Sequence, residues 1–162
     1  MIYYTGDIHG SKLEIVTFCM RFQPTKNDTI IILGDVGANY FGNERDAQFK
    51  AEFAKLEPTI FCIHGNHEIR PWNILFAKDG EIYDIEGTKH LVIGGAYSVD
   101  KFYRVSSGYG WWEDEQPSEK IKQYVEKQIK EKKFDVILSH TCPFKYEPVE
   151  TFLPGIDQST VD

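Results

Sequence analysis

The apolar and polar positions along this chain fall into two regimes. Up to about residue 70, three short apolar runs alternate with longer amphipathic stretches. The runs MIYYT (1–5), TIIIL (29–33) and TIFCI (59–63) are continuous, the pattern of strands covered on both faces. Ser11 with Glu14 makes a capping-box pattern that predicts a helix to about Phe22, with Leu13, Val16 and Met20 on its inner face. Pro24 and Asn27-Asp28 mark a turn. Asn43 predicts the cap of a second helix over 44–56, with Ala47, Phe53 and Ala54 inward. Strand, helix, strand, helix, strand is the order of parallel βαβ units. In such sheets ligands bind just beyond the carboxyl ends of the strands.

The later half is less regular. Residues 82–85 and 89–93 predict a hairpin about Glu86-Gly87. Residues 100–117 read as an aromatic, glycine-bearing loop that includes Trp111-Trp112. Ser118 predicts the cap of an amphipathic helix to about residue 133, with Ile121, Tyr124, Val125 and Ile129 at helical spacing. Residues 134–138 (FDVIL) predict a further strand, and 141–162 show no periodicity. There is no repeat, low-complexity tract or linker, so residues 1–162 are expected to form a single domain.

Composition fits that reading. At 162 residues and 41% apolar content the chain can bury one substantial core. The net charge of −7 disfavours broad binding to nucleic acid or to an anionic membrane. It leaves a phosphate substrate open, because bound cations can invert the local field. Cys19, Cys62 and Cys142 are three, widely spaced and without a C-x-x-C, so neither a zinc clip nor a disulfide framework is predicted. With no signal-peptide pattern at the N-terminus and no run long enough to span a membrane, a cytoplasmic location is expected.

Four polar clusters carry chemistry: Asp7-x-His9 in GDIHG, Asp35 in GDVG, Asn66-His67 in GNHE and His140 in SHTCP. Carboxylate, imidazole and amide oxygen suit divalent metals. Taken singly, each has a plainer reading as a turn, a cap or a structural histidine. Together they fall at the ends of predicted strands whose topology should bring them into one place. A carboxylate there can bridge two metals, and such a pair clamps a phosphate ester and lowers the pKa of a water nucleophile. Of the other candidates, His64 reads as a supporting or structural residue and His90 as structural. Tyr97, Asp100 and Arg104 could line the cleft. Trp111 and Trp112 could stack on substrate or anchor a loop. Cys142 reads as a small core or loop residue.

The ordered set GDIHG, GDVG, GNHE, SHTCP resembles the calcineurin-like metallophosphoesterase family over nearly the whole chain. The stretches GGAYSVDKFYR and WWEDEQPS resemble a bacterial and phage branch of it. The resemblance implies an α/β fold, a four-layer α/β/β/α sandwich with metals at the sheet ends. It implies a metal-dependent phosphoric ester hydrolase that splits a phosphomonoester or phosphodiester with a metal-bridging hydroxide. Two divalent ions are expected, manganese first, with iron or zinc as alternatives. Asp7 and His9 would bind the first metal, Asp35 would bridge, and Asn66 and His140 would bind the second. His67 would protonate the leaving alkoxide or stabilise its charge. Arg70 matches a phosphate-binding arginine of the protein-phosphatase branch. The expected substrate is a small phosphorylated molecule or nucleotide.

Two departures qualify that expectation. The family closes its site with a late Gly-His-x-His, whereas the five histidines here (9, 64, 67, 90 and 140) end at residue 140. Residues 159–162 read like the start of a helix, so the chain is expected to stop before the last metal ligands. The alternative is therefore a truncated or degenerate member that binds without turnover. The protein-phosphatase branch also follows its Gly-Asp with an Asp-Arg pair that orients the acid histidine and grips phosphate. Here Ala38 and Asn39 stand in the matching places of GDVGANY, which argues against a dedicated phosphoprotein phosphatase.

Overall fold

The computed structural model describes residues 1–70 and 76–146. The expectation of a helix start at 159–162 lies outside the described residues, as does most of the aperiodic tail. Strands β1 (Ile2–Thr5), β2 (Thr29–Ile32) and β3 (Thr59–Cys62) form a parallel sheet in the order β1-β2-β3. The register runs Ile2 opposite Thr29 and Thr29 opposite Thr59. Helices α1 (Lys12–Phe22) and α2 (Glu44–Phe53) make the crossovers. A second sheet holds β4 (Ile82–Ile85), β5 (Thr88–Ile93) and β6 (Val136–Ser139), with β4-β5 antiparallel and β5-β6 parallel. Between β5 and β6 come α3 (Lys101–Ser107) and α4 (Glu119–Glu131).

Burial explains the layering. β2 is buried along its whole length, so its residues alternate between two cores. Ile30 and Ile32 join Ile15, Phe53, Ile60 and Cys62 beneath α1 and α2. Ile31 faces the other way and meets Ile63, Val92 and Leu138 between the two sheets. On the far side, α4 sets Tyr124 and Val125 against Gly80, and the Tyr124 hydroxyl donates to Glu81. The result is the expected α/β/β/α sandwich. Each fully buried aliphatic side chain in these cores contributes about 1.5–3 kcal/mol.

Four local expectations are corrected. The inner stripe of α1 is Ile15, Phe18 and Cys19 rather than Leu13, Val16 and Met20. Leu13 and Met20 are 72% and 75% exposed. Both stripes have helical spacing. The one that wins sets Phe18 edge-on against Tyr3 of β1, ring centroids 4.9 Å apart. Ser11 precedes α1, but its side chain makes no capping bond, so the capping box does not form. In α2, Phe49 and Phe53 face the core while Ala47 and Ala54 are exposed. The caps of Asn43 and Ser118 do form, accepting from the N–H groups of Arg45 and Ile121. The predicted loop at 100–117 contains α3, whose pattern is inverted: Phe102, Tyr103 and Val105 are exposed and Arg104 is buried.

Candidate metal centre

The polar clusters lie at the carboxyl ends of β1, β2, β3 and β6, and backbone bonds draw those ends together. The Ile8 and His9 N–H groups donate to the Asp35 carbonyl (3.2 and 2.8 Å), and Gly10 N–H donates to Val36 (2.9 Å). His9 and Asp35 adopt positive φ (43° and 44°), a conformation that costs about 1–2 kcal/mol in a non-glycine residue. Two glycines are required by close approach. A Cβ on Gly34 would collide with the His140 ring, and one on Gly65 would collide with Asp35.

Asp35 is buried and sits between two groups of donors. Its Oδ1 accepts from the His67 N–H (2.9 Å) and lies 3.7 Å from His140 Nε2. Its Oδ2 lies 3.9 Å from His9 Nε2 and 3.8 Å from His67 Nε2. Donor atoms of His9, Asp35 and His67 fall within 4.8 Å of one another, as do those of Asp7, Asp35 and His140. Asp7 reaches both groups, with Oδ2 3.9 Å from His9 Nε2 and Oδ1 3.7 Å from His140 Nδ1.

The fit to cations is clearest at His140. Its Nδ1 is 2.7 Å from the Leu33 carbonyl oxygen, which can only accept, so Nδ1 carries the hydrogen. In the neutral ring Nε2 then presents a lone pair. Asn66 Oδ1, also an acceptor, lies 2.9 Å from it. Two lone-pair atoms facing each other in a half-buried place beside a buried carboxylate are complementary to a positive charge. A ligating histidine commonly gives its second N–H to a backbone carbonyl in this way.

Supporting residues surround these donors. Glu68 is fully buried, and its carboxylate accepts from the N–H groups of Gly37 (2.8 Å), Ala38 (3.3 Å) and Gly65 (3.4 Å). It thus ties the loop after β2 to the loop after β3. Burial raises its pKa to about 7, and the Asp35 charge adds to the rise while the backbone donors oppose it. His64 is buried with Nε2 2.8 Å from the Glu68 carbonyl oxygen, and burial holds its pKa down at about 3. Burial also lowers the His67 pKa, against the pull of Asp35. His67 Nδ1 lies 3.2 Å from the Tyr40 hydroxyl. His90 is structural in its contacts, bonding Thr88 and Tyr4 between the sheets.

Arg70, expected to bind phosphate, contacts other protein groups in this structure. Its guanidinium pairs with the Asp79 carboxylate, and Nε donates to the Asp114 carbonyl (2.7 Å). Among the described residues, none of its hydrogen bonds or ion pairs goes to Asp7, His9, Asp35, Asn66 or His140. Trp111 donates to Glu115 (2.8 Å) and stacks beneath the Lys101 ammonium, the contacts of a loop anchor. Arg104, Glu115 and Ser98 are buried around Asn66 rather than lining an open cleft. Cys142 is exposed. Sequence reasoning missed the contributions of Tyr40, Ser98 and Glu68. The only signal was their place inside GDVGANY, GGAYS and GNHE.

Fold and site together set two clusters of donors suited to divalent cations at the strand ends of a two-sheet sandwich. The chain belongs to the calcineurin-like phosphoesterase family, whose model matches residues 1–156. That family is dinuclear and metal-dependent. Comparison with curated proteins finds no match, and comparison with solved structures finds none. Among the described residues, no helix is long and apolar enough to cross a membrane.

Proposed function

We propose that the chain hydrolyses a phosphomonoester or phosphodiester at a centre of two divalent cations. The observation that carries this is Asp35. One buried carboxylate turns each oxygen toward a different set of donors, His140 on one side and His9 with His67 on the other. Asp7 and His9 serve one position, Asn66 and His140 the other, and Asp35 both. When bound, the two cations supply a hydroxide nucleophile near neutral pH and neutralise the phosphoryl oxygens. Half-buried His67, with Nδ1 3.2 Å from the Tyr40 hydroxyl, would protonate the leaving alkoxide from the imidazolium form or stabilise its charge through the Nε2 hydrogen.

Imidazole and carboxylate donors with one amide suit manganese, with iron or zinc as alternatives. The net charge of −7 supports a small phosphorylated substrate or nucleotide over a long nucleic acid. The test is release of p-nitrophenol from bis(p-nitrophenyl) phosphate and p-nitrophenyl phosphate with added manganese, iron or zinc, beside a count of bound metal. Turnover that Asp35→Ala abolishes supports the proposal. Near-zero bound metal would favour the non-catalytic alternative, and two bound ions without turnover on either ester would sink the proposal.

A further inference from the structure

Asn66 is the only amide among the five proposed ligands, and an amide poses a problem the other four do not. Its two ends have nearly the same shape but opposite polarity. Only Oδ1 can face a cation, and the Nδ2 hydrogens then need an acceptor in a half-buried place. An unpaired buried donor costs about 1–3 kcal/mol.

The structure supplies that acceptor. Asn66 Nδ2 donates to Ser98 Oγ at 2.9 Å, across 32 residues of sequence. Ser98 is 1% exposed and lies between β5 and α3. Its N–H donates to the Glu115 carboxylate (3.3 Å), so its backbone is anchored independently of the side chain. Arg104, itself 4% exposed, donates from Nη1 to the same Oγ (3.3 Å) and from Nη2 to the Gly110 carbonyl. A guanidinium can only donate. It therefore takes one lone pair of Ser98 Oγ and leaves the other for Asn66. This buried cation serves no carboxylate in any of its hydrogen bonds among the described residues. Its Nη1 bond makes the Ser98 hydroxyl an acceptor.

We propose that Ser98 and Arg104 are positioning residues for Asn66, fixing its carboxamide with Oδ1 turned to the metal position it shares with His140. The proposal rests on the two-cation reading above. It also gives α3 a purpose: the helix presents Arg104 inward, opposite to its exposed aromatic face.

The test measures manganese binding by calorimetry and electron paramagnetic resonance in the wild type, Ser98→Ala, Ser98→Thr, Asn66→Asp and the double variant Ser98→Ala with Asn66→Asp. Hydrogen exchange of the Asn66 side-chain amide is followed by NMR in metal-free protein. Ser98→Ala should weaken one manganese equivalent by roughly 10- to 100-fold, leave the other in place and speed exchange of the Asn66 amide. Ser98→Thr, which keeps the hydroxyl, should restore both. An aspartate at 66 has no Nδ2 to satisfy, so Ser98→Ala should cost little in that background. Equal weakening in both backgrounds, or unchanged manganese affinity and amide exchange in Ser98→Ala, would overturn the proposal. Absence of manganese binding in the wild type overturns the two-cation reading instead. The amide measurement, made without metal, still decides whether Ser98 holds Asn66.

Discussion

The Tyr40 hydroxyl sits 3.2 Å from His67 Nδ1, and the two rings stack at 26° with centroids 6.0 Å apart. The resemblance placed the orienting acid of His67 at the position that Ala38 occupies here, and alanine cannot orient a ring. The phenol two residues further on makes the contact instead. The Asp46 carboxylate holds its loop by accepting from the N–H groups of Tyr40, Phe41 and Gly42. A carboxylate beside Nδ1 would favour the charged imidazole, whereas a phenol fixes orientation without adding negative charge. Tyr40→Phe keeps the stacking and removes the bond. Turnover should fall roughly 5- to 10-fold, the worth of about 1 kcal/mol, with manganese affinity unchanged. Steady-state kinetics on a phosphodiester with a poor leaving group gives the most sensitive reading. Equal rates for variant and wild type would show that the phenol only packs.

Gly34 brings the backbone close against the His140 ring. Its φ is +92°, and a Cβ there would run into the His140 ring. Gly34→Ala therefore meets two penalties, a left-handed backbone carrying a side chain and a displaced ligand. We expect a loss of about 2 kcal/mol or more in urea unfolding of metal-free protein. We also expect loss of the manganese position that His140 serves. A variant as stable as wild type that still bound two equivalents would contradict the geometry.

The parallel βαβ half of the fold was legible because its strands are buried on both faces and read as unbroken apolar runs such as TIIIL. The convergence of the polar clusters was legible because they fall directly after those runs. What the pattern could not convey was which of two apolar stripes α1 turns inward, since Leu13, Val16 and Met20 have helical spacing just as the winners do. It also concealed α3, where exposed aromatics and an inward arginine reverse the usual amphipathic sign. Ser98 and Tyr40 were invisible for a different reason. They act through one hydrogen bond each to a residue tens of positions away, and no local periodicity reports that.

Two buried titratable groups give the metal-free protein a defined pH dependence. His64 has a folded pKa of about 3 against an ordinary value of 6.5, so the unfolded chain takes up its proton first. Its contribution is present above pH 6.5 and is lost as pH falls toward 3. Glu68 runs the other way: with a folded pKa of about 7 against 4.5, it favours folding at low pH and loses that contribution between 4.5 and 7. The slopes oppose between pH 4.5 and 6.5, which should give a plateau, and below 4.5 His64 acts unopposed. His64→Gln removes one of them. Its stability deficit relative to wild type should narrow by about 1.4 kcal/mol per pH unit as pH falls from 6.5. Urea unfolding in a chelator at pH 7, 6, 5 and 4 checks this, and a deficit independent of pH would refute it.

Arg70 separates a brace from a substrate clamp. Its guanidinium joins Asp79, whose other oxygen accepts from the Gly94 N–H, to the Asp114 carbonyl. It therefore ties the segment after GNHE to the end of β5 and to the loop before α4. Asp79 is almost wholly buried, so removing its partner leaves a charge without compensation. Breaking such a pair costs about 3–5 kcal/mol. Arg70→Ala should cause a loss of that order, and Arg70→Lys, which keeps the charge but not the fork to two acceptors, an intermediate one. If Arg70 held substrate phosphate, the Lys variant would instead raise KM with little effect on unfolding. We expect the opposite split: a lower unfolding midpoint for Arg70→Lys and a KM for p-nitrophenyl phosphate within about twofold of wild type, since no substrate contact is lost.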